Sequence, residues 1–355
     1  MNNELLMNNG LFLKVLDLVS PIYLVGGSVR DELLGKSPKD YDFTTPLLPE
    51  QIETSIRDAQ RKPYLTGKRF GTIGVKIDGQ MVEITTFRSE TYKQGNRKPD
   101  VEFVGDLTAD LSRRDFTINA IARSLGTVFD PFKGQIDLYS KIIRCVGKAN
   151  ERFKEDPLRM LRAARFASQL EFTVEENTED MCKQLNYKIL EVSKERWGLE
   201  LDKILISNNP SIGLNFLMRT RLMNFILPEI ALQYNFDQQN PHHSLNLWEH
   251  TVKVVEGVPN DIELRWAGLL HDIGKPFTKQ IKNKVAVDIE NTEGIAIVPF
   301  IHCNYHKHDM LGKEFVNKLA LYLKWSNNRR DNVMNLVFNH MDDNSPLKKA
   351  DLEAK

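Results

Sequence analysis

Residues 23–45 read YLVGGSVRDELLGKSPKDYDFTT, and this stretch decides the fold that we expect for the first part of the chain. The apolar run from Ile22 to Val25 predicts a strand, which breaks at Gly26-Gly27. Ser28, with Asp31 three residues later, predicts the capped start of a short helix. The stretch therefore predicts a strand, a tight turn and a helix.

The same stretch carries two features that suit chemistry. Asp40-Tyr41-Asp42-Phe43 predicts a second strand, on which both carboxylates point to one face and favour a bound cation. Glycines before a helix N-terminus form a cradle for phosphate, which Arg30 can reach bidentately. A tight turn, a solvated strand end and a surface ion pair of Arg30 with Asp31 are the alternatives. The short spacing of these features favours a nucleotidyltransferase site.

Composition limits the number of domains and the classes of protein that we expect. A chain of 355 residues predicts two or three domains, and 48 basic residues against 48 acidic ones exclude a global basic field. The three cysteines, Cys145, Cys182 and Cys303, form no C-x-x-C motif, which is typical of a reducing compartment. No apolar run reaches membrane-spanning length, so we expect a cytoplasmic protein without a membrane partner.

A strong hairpin signal follows the opening stretch. Thr72 to Ile77 and Met81 to Phe87 alternate as strands across Asp78-Gly79. Glu83 on the second strand fits either a third carboxylate ligand beside the aspartates or a solvated strand residue. The polar segment 88–99 predicts a loop.

Paired arginines mark the next motif. Asp115 to Ala122 predicts a helix, so Arg113 and Arg114 would lie at its start and oppose the helix dipole. An anion such as a triphosphate relieves that conflict, and a solvated pair is the alternative. Beyond residue 146 the pattern becomes helical.

Residues 151–172, ERFKEDPLRMLRAARFASQLEF, predict a helix capped by Asp156 with Pro157 at its first position. Arginines recur every three residues on one face, at Arg159, Arg162 and Arg165. No glutamate compensates them in the pattern, and Asp156 lies one turn from Arg159. A solvated basic face is the alternative to a binding role.

Histidines cluster in the last third of the chain: His242, His243, His250, His271, His302, His306, His308 and His340. Predicted helices from Leu245 to Gly257 and from Asp261 to Asp272 carry His250 and the adjacent His271-Asp272. Nitrogen and oxygen ligands together suit a transition metal, whereas a single such histidine is more often a core residue.

These motifs, in this order, resemble the tRNA nucleotidyltransferases, the CCA-adding enzymes of the bacterial class in the DNA polymerase beta superfamily. The matching segments are LVGGSVRDELLG with DYD, RRDFTINA, DPFKG and EDPLRMLRAARF. The later segments WEHTVKVV and LLHDIGK resemble an HD phosphohydrolase domain. Since the chain ends soon afterwards, the resemblance predicts that the tail of longer relatives is short or absent.

The resemblance implies roles for the residues already named, with tRNA, CTP and ATP as partners. Asp40 and Asp42 would hold two Mg²⁺ ions. The triphosphate ligands would be Gly27, Arg30 and Arg114. The base readers would be Asp156 and Arg159, supported by Arg162 and Arg165. In the HD region His250, His271 and Asp272 would bind Ni, Mn, Co or Zn.

The carboxylate and guanidinium suit the bases that such an enzyme selects. Cytosine and adenine both present an amino donor beside a ring-nitrogen acceptor, whereas guanine and uracil present a carbonyl beside an N–H. Asp156 accepts and Arg159 donates, so this pair complements C and A and opposes G and U.

We therefore expect an α+β protein: a nucleotidyltransferase head with a mixed sheet (1–140), a helical neck and body (141–235) and a helical HD-type region (236–355). The expected function is template-independent completion or repair of the tRNA 3′-CCA end. A bacterial poly(A) polymerase, a CC- or A-adding specialist and a tRNA-binding protein without activity are the alternatives.

Overall fold

A computed structural model describes residues 10–38, 40–91, 100–239, 244–291 and 294–355, with only the backbone for 90–91, 100, 282–291 and 294–302. The chain divides into two compact units. One comprises Met1–Arg159 with Thr173–Met181, and the other comprises Met160–Phe172 with Cys182–Lys355. No helix in the described ranges is long and apolar enough to cross a bilayer.

The first unit combines strands and helices, as expected for the α+β class. Its strands are β1 (Tyr23–Val25), β2 (Asp42–Thr45), β3 (Pro63–Tyr64), β4 (Thr72–Ile77), β5 (Gln80–Thr86), β6 (Arg88–Thr91), β7 (Asp100–Phe103), β8 (Ala122–Ser124), β9 (Thr127–Phe129), β10 (Ile142–Ile143) and β11 (Thr173–Val174). Its helices are α1 (Gly10–Leu18), α2 (Gly27–Leu33), α3 (Pro49–Asp58), α4 (Leu107–Ser112), α5 (Gly134–Tyr139) and α6 (Ala149–Glu155).

Seven of these strands form a mixed sheet in the order β3-β4-β5-β2-β1-β8-β9. Strand β1 is antiparallel to both β2 and β8, whereas β2 is parallel to β5. Leu24, Phe43 and Ile84 lie in the core of the sheet. The mixed sheet confirms the expected architecture of the head.

The predicted hairpin across Asp78-Gly79 is confirmed, because both turn residues have positive φ angles, of 51° and 81°. The predicted loop over 88–99 is wrong for its first part, since β6 pairs with β7; residues 92–99 lie outside the described residues. Ser28 does not cap α2: its hydroxyl donates to the Val25 carbonyl at 2.8 Å, and Gly26 occupies the cap position.

The predicted helix from Asp115 to Ala122 is also wrong. A single 3₁₀ turn, Thr117–Asn119, leads directly into β8, where Ala122 pairs with Val25. Pairing with the central strand overrides the helical spacing of the apolar residues. Strand-like Thr127–Phe129, by contrast, is confirmed as β9.

Helices dominate the second unit. They are α7 (Leu158–Leu170), α8 (Glu176–Leu185), α9 (Lys194–Leu205), α10 (Pro210–Arg219), α11 (Met223–Ile226), α12 (Pro228–Ala231), α13 (Leu247–Gly257), α14 (Ile262–Leu270), α15 (Lys275–Thr278), α16 (His308–Leu323), α17 (Asn327–Phe338) and α18 (Lys348–Glu353). The start of α7, up to Arg159, and the start of α8, up to Met181, belong to the first unit. The sequence predicts a helical region here, but an antiparallel hairpin of β12 (Gln280–Asn291) and β13 (Gly294–Asn304) interrupts the helices.

A buried ion pair fixes α2 against the sheet. Arg123 on β8 donates to Glu32 on α2, with Nη2 3.0 Å from Oε2, and the two side chains are 2% and 12% exposed. The guanidinium also lies over the Phe12 ring at 5.1 Å. Because α2 begins at the glycine turn, this contact sets the position of that turn.

We expect Glu32→Ala to lower the free energy of unfolding by about 3 kcal/mol, because it removes the carboxylate that faces the buried Arg123 charge. Urea denaturation measures the change. Glu151→Ala removes an exposed partner of Lys148 and is the matched control, with an expected change of about 0.5 kcal/mol. Equal changes in the two variants would contradict a structural role for the buried pair.

Candidate nucleotide site and metal centre

The end of β1 brings together a glycine, a carboxylate and an arginine. Gly26 has φ +74°, a conformation that strains any side chain, and a Cβ there would lie 2.8 Å from Nη1 of Arg114 and 3.9 Å from Oδ2 of Asp42. The positive φ favours glycine at this turn, and a side chain here would also displace the Arg114 guanidinium. These contacts place a cationic and an anionic side chain beside the start of α2.

Asp42 is the first residue of β2 and is exposed, while Asp40 lies in the bend before the strand and not on it as expected. Glu83 faces Asp42 in the parallel register of β2 and β5. Partial removal from water raises the pKa of Asp42; Arg114 opposes this rise and the Asp40 charge adds to it. Carboxylate oxygens are the ligands that hard divalent cations such as Mg²⁺ prefer.

Arg113 and Arg114 follow the C-terminus of α4, so the expected conflict with a helix dipole is wrong. The fully buried Asp110 holds them instead. Its Oδ1 accepts from Nη2 of Arg113 at 2.9 Å, and its Oδ2 lies 3.6 Å from Nη2 of Arg114. Burial lowers the pKa of Arg114, and its Nε is buried without an acceptor.

Arg30 is held by Asp31, the ion-pair partner that the sequence offered as an alternative, and by Asn119, which the sequence analysis did not single out. It donates to Asp31 Oδ1 through Nε and Nη2, at 2.9 and 2.7 Å, and to Asn119 Oδ1 at 2.8 Å. Asn119 in turn donates to the buried Asp115 at 3.0 Å. Gly27 lies close by, since a Cβ there would be 3.5 Å from Nη2 of Arg30. The polar run RRDFTINA was the signal that could have identified Asn119.

The proposed base readers occupy the junction of α6 and α7. Asp156 Oδ1 accepts from the Leu158 amide at 3.1 Å, which is the predicted cap. Arg159 is buried and donates to Glu155 Oε2 at 2.7 Å and to the carbonyls of Arg152 and Arg113. The expectation that no glutamate compensates the arginines is therefore wrong.

The remaining two arginines of α7 belong to the second unit. Arg165 lies 3.3 Å from Glu200 and is buried. Arg162 lies over the Phe166 ring at 5.6 Å and is partly exposed. The two side chains therefore differ in environment, although both lie on the predicted arginine face.

A cluster of metal-ligand side chains lies inside the second unit. His250, His271, Asp272 and Asp351 are all buried, and one ligand atom from each lies within 4.8 Å of the others. His250 Nε2 is 3.1 Å from Asp351 Oδ1 and 3.2 Å from His271 Nε2. Sequence spacing did not identify Asp351, which lies on α18.

Hydrogen bonds and opposite charges shift the pKa values of the side chains in this cluster. Burial would lower the pKa of His250, but hydrogen bonds to Asp272 and Asp351 outweigh it and raise the pKa to about 9. Burial would also raise the pKa of Asp272, yet His271 and Lys275 hold it well below its usual value. A proton on His250 thus occupies the place that suits a metal cation.

Two buried oxygens support the fit of a metal. Oδ2 of Asp272 and Oδ2 of Asp351 are buried and lack a hydrogen-bond partner of good geometry. The Lys275 ammonium lies 2.7 Å from the first oxygen but donates to Gln238, and the Lys355 ammonium lies 3.4 Å from the second. Buried carboxylate oxygens beside two imidazoles are the ligands that a transition metal takes.

A second group of ligands adjoins the first. Asp272, His308 and His340 also bring one ligand atom each within 4.8 Å of the others. Burial, and then the neighbouring His271, lower the pKa of His340 to about 4, so this imidazole is neutral at neutral pH. His306 is exposed and takes no part in either group. Of the other histidines, His242 and His243 lie outside the described residues, and only the backbone of His302 is described.

Three family models match the chain in succession. They are "Poly A polymerase head domain" over residues 22–144, "Probable RNA and SrmB- binding site of polymerase A" over 171–233 and "HD domain" over 242–355. The CCA-adding enzyme of Lactococcus lactis subsp. cremoris is 34% identical over 298 residues, which cover 78% of this chain and 70% of that protein. The chain belongs to the CCA-adding enzymes.

Other CCA-adding enzymes match over a shorter span. That of Pediococcus pentosaceus is 43% identical over 214 residues, which cover 60% of this chain and 53% of the relative. That of Lactiplantibacillus plantarum is matched over 51% of its length. This chain therefore spans about half the length of these curated relatives.

Solved structures of the family show the same fold. The crystal structure of the Bacillus stearothermophilus CCA-adding enzyme in complex with CTP superposes with a TM-score of 0.62 at 26% identity, over 100% of this chain and 82% of that one. A tRNA nucleotidyltransferase complexed with a primer tRNA and an incoming ATP analog gives a TM-score of 0.55 at 28% identity, over 70% and 71% of the two chains.

Proposed function

We propose that this protein adds or repairs the 3′-terminal CCA of tRNA with CTP and ATP, without a template, and releases pyrophosphate. The meeting of Gly26, Asp42 and Arg114 at the end of β1 carries the proposal. A backbone cradle, a carboxylate for metal and a cation for phosphate are what transfer of a nucleotidyl group requires. We assign residues 1–140 to the head, 141–235 to the neck and body, and 236–355 to the HD region, in a cytoplasmic protein.

Asp40 and Asp42 fit the role of ligands for two Mg²⁺ ions, with Glu83 facing Asp42 as a third carboxylate. Bound Mg²⁺ would activate the RNA 3′-hydroxyl and stabilise the charge of the departing pyrophosphate. The protein's own contribution is to hold Asp42 and Glu83 on adjacent strands of the sheet, with Asp40 in the bend before β2. That arrangement avoids reorganisation of charged groups during the reaction.

Gly27, Arg30 and Arg114 suit the triphosphate. The glycine turn lets main-chain N–H groups approach phosphate oxygens, and Arg114 has a buried Nε without an acceptor. The contacts of Arg30 with Asp31 and Asn119 hold its guanidinium beside Gly27. These three residues therefore offer donors to an anion in the same small region.

Asp156 and Arg159 are proposed to read the base, with Arg162 and Arg165 in support. One oxygen of Asp156 caps α7, and a carboxylate has further lone pairs to accept from an amino group. Arg159 is held by Glu155 and by two carbonyls, which fix its orientation and leave base recognition to its two remaining N–H groups. A rigid acceptor beside a rigid donor can replace a template in selecting C and A.

We expect Asp42→Asn to reduce nucleotide incorporation about 1,000-fold, because it removes a charged ligand that stabilises the transition state by several kcal/mol. The assay incubates the protein with tRNA lacking its last three nucleotides and each labelled NTP in turn. Asp58→Asn, an exposed carboxylate at the end of α3, is the matched control and should keep full activity.

The same assay separates the alternatives. Addition of C, C and A in order supports the proposal, repeated A addition would indicate a poly(A) polymerase, and addition of only C or only A would indicate a specialist. If the parent protein binds tRNA but incorporates no nucleotide, the result would indicate a tRNA-binding protein without activity. Full activity in Asp42→Asn would remove Asp42 from the catalytic assignment.

We expect Asp156→Ala to relax discrimination against UTP and GTP by about 10-fold to 100-fold, because the amino group of C or A loses its acceptor. Relative kcat/KM values for the four NTPs measure this. Asp106→Ala removes another N-cap in the same unit and is the control, since Asp106 accepts from the amides of Thr108 and Ala109. Both variants should lose about 1 kcal/mol of stability. Unchanged selectivity in Asp156→Ala would show that Asp156 acts only as a helix cap.

The HD region supports a second proposed activity. We infer that His250, His271, Asp272 and Asp351 bind one divalent transition metal, Ni, Mn, Co or Zn. A bound metal of this kind would supply an activated water for hydrolysis of a phosphomonoester or a 2′,3′-cyclic phosphate. Clearing a blocked RNA 3′ end would precede nucleotide addition. The alternative is a helical region that only supports tRNA.

We expect His271→Ala to lose bound metal and cyclic-phosphate hydrolysis together while nucleotide addition remains. Metal analysis of the purified protein and hydrolysis of a 2′,3′-cyclic nucleotide measure the two properties. His306→Ala replaces an exposed histidine of the same region and should change neither. A parent protein without bound metal or hydrolysis would favour the supporting role.

A further inference from the structure

The C-terminus of α4 lies directly before the proposed triphosphate ligand. Helix α4 ends at Ser112, and Arg113 and Arg114 follow it. The last carbonyls of a helix have no partner within the helix and carry partial negative charge, so they attract donors from other elements. The Arg114 amide also donates back to the Leu111 carbonyl at 3.2 Å. The main chain that carries Arg114 is therefore fixed by the end of this helix.

Two arginines from α6 and α7 bind these carbonyls. Arg152 on α6 donates through Nη1 to the Ser112 carbonyl at 2.9 Å, and Arg159 on α7 donates through Nη2 to the Arg113 carbonyl at 2.8 Å. The two side chains are only 17% and 7% exposed. All four residues belong to the first unit. Two buried cations thus hold successive carbonyls just before Arg114.

Glu155 joins the two arginines. Its Oε1 accepts from Nη2 of Arg152, and its Oε2 accepts from Nη1 of Arg159 at 2.7 Å. Nη1 of Arg159 also donates to the Arg152 carbonyl at 3.1 Å. One carboxylate therefore sets the separation of the two guanidinium groups. We call Arg152, Glu155 and Arg159 the arginine clamp.

We propose that Arg152 is a positioning residue that couples base recognition to alignment of the triphosphate. This inference rests on the function proposed above, in which Arg159 reads the base and Arg114 binds the triphosphate. Arg152 reaches the base reader through Glu155, and it reaches the triphosphate ligand through the Ser112 carbonyl and the end of α4. The clamp makes the two nucleotide contacts parts of one hydrogen-bonded network.

The chemistry of the side chain suits this role. Both Nη atoms of Arg152 donate to protein acceptors, so the residue acts through its neighbours and not on the nucleotide. A planar guanidinium can bind a carbonyl and a carboxylate at the same time in a fixed geometry, whereas a lysine ammonium is a single mobile point charge. Alignment of the reacting groups contributes to the chemical step more than to the affinity for substrate.

We expect Arg152→Ala to lower kcat for both CTP and ATP by about 10-fold to 100-fold and to change the KM for either nucleotide by less than about 3-fold, because every proposed nucleotide ligand remains but its alignment is lost. Arg152→Lys should give an intermediate kcat. Lys154→Ala replaces an exposed cation on the same helix and should match the parent protein. Incorporation kinetics with tRNA lacking its last three nucleotides measure these values.

A double-mutant cycle tests whether Arg152 acts through Arg114. The kcat of Arg114→Lys is compared with and without Arg152→Ala. We expect Arg152→Ala to cost less than about 3-fold in the Arg114→Lys background, because an effect transmitted through Arg114 is already lost there. Lys154→Ala should leave kcat unchanged in both backgrounds. Thermal unfolding of each variant shows that it remains folded, and Glu155→Gln replaces Arg152→Ala in the cycle if the latter does not fold.

The outcomes separate this inference from the function on which it rests. Equal losses of kcat in the two backgrounds, in a parent protein that adds CCA, would overturn the coupling and leave the proposed function intact. A raised KM with unchanged kcat in Arg152→Ala would also overturn it, because it would make Arg152 a contact for binding alone. A parent protein that incorporates no nucleotide would overturn both.

Discussion

The geometry of the proposed nucleotide site depends on how one buried carboxylate is shared between two arginines. Asp110 is completely buried, and such a charge is stable only when it is paired. Arg113 takes its Oδ1 with two N–H groups, so Arg114 reaches only Oδ2, at 3.6 Å. Arg114 is thus held in place without being fully satisfied. This remaining capacity is directed at Gly26 and Asp42, where an anion can use it.

Local conformational requirements account for what the sequence predicted well. The positive φ angles of Gly26 and of Asp78-Gly79 can be met by few residues, so these turns were visible in the sequence. The exposed Asp42 and the buried Phe43 likewise follow from the order Asp42-Phe43 at the start of β2. The helix expected from Asp115 to Ala122 failed because pairing with β1 is a tertiary contact, which apolar spacing does not report. A short segment is predictable from sequence when its own residues determine its conformation, and it is not when a distant strand does.

The same distinction applies to the sites. Asp40, Asp42 and the adjacent His271-Asp272 are short motifs and were predicted as site residues, whereas the chain brings Asp351 and His340 to Asp272 from distant helices. No spacing rule specifies such partners. Glu155 was not expected as a partner for another reason. It lies four residues before Arg159, outside the arginine pattern that begins at Arg159.

The two sites differ in exposure and ligand type, and these differences are mutually consistent. In the head, exposed carboxylates offer oxygen ligands only, which suits Mg²⁺ that retains waters and binds together with substrate phosphates. In the HD region, buried imidazoles fixed by carbonyls offer nitrogen, which suits a more tightly held transition metal. An ion that arrives with each nucleotide requires access, whereas a resident ion is retained by burial. The ligand set and the burial of each site therefore favour the same division between an exchangeable and a resident metal.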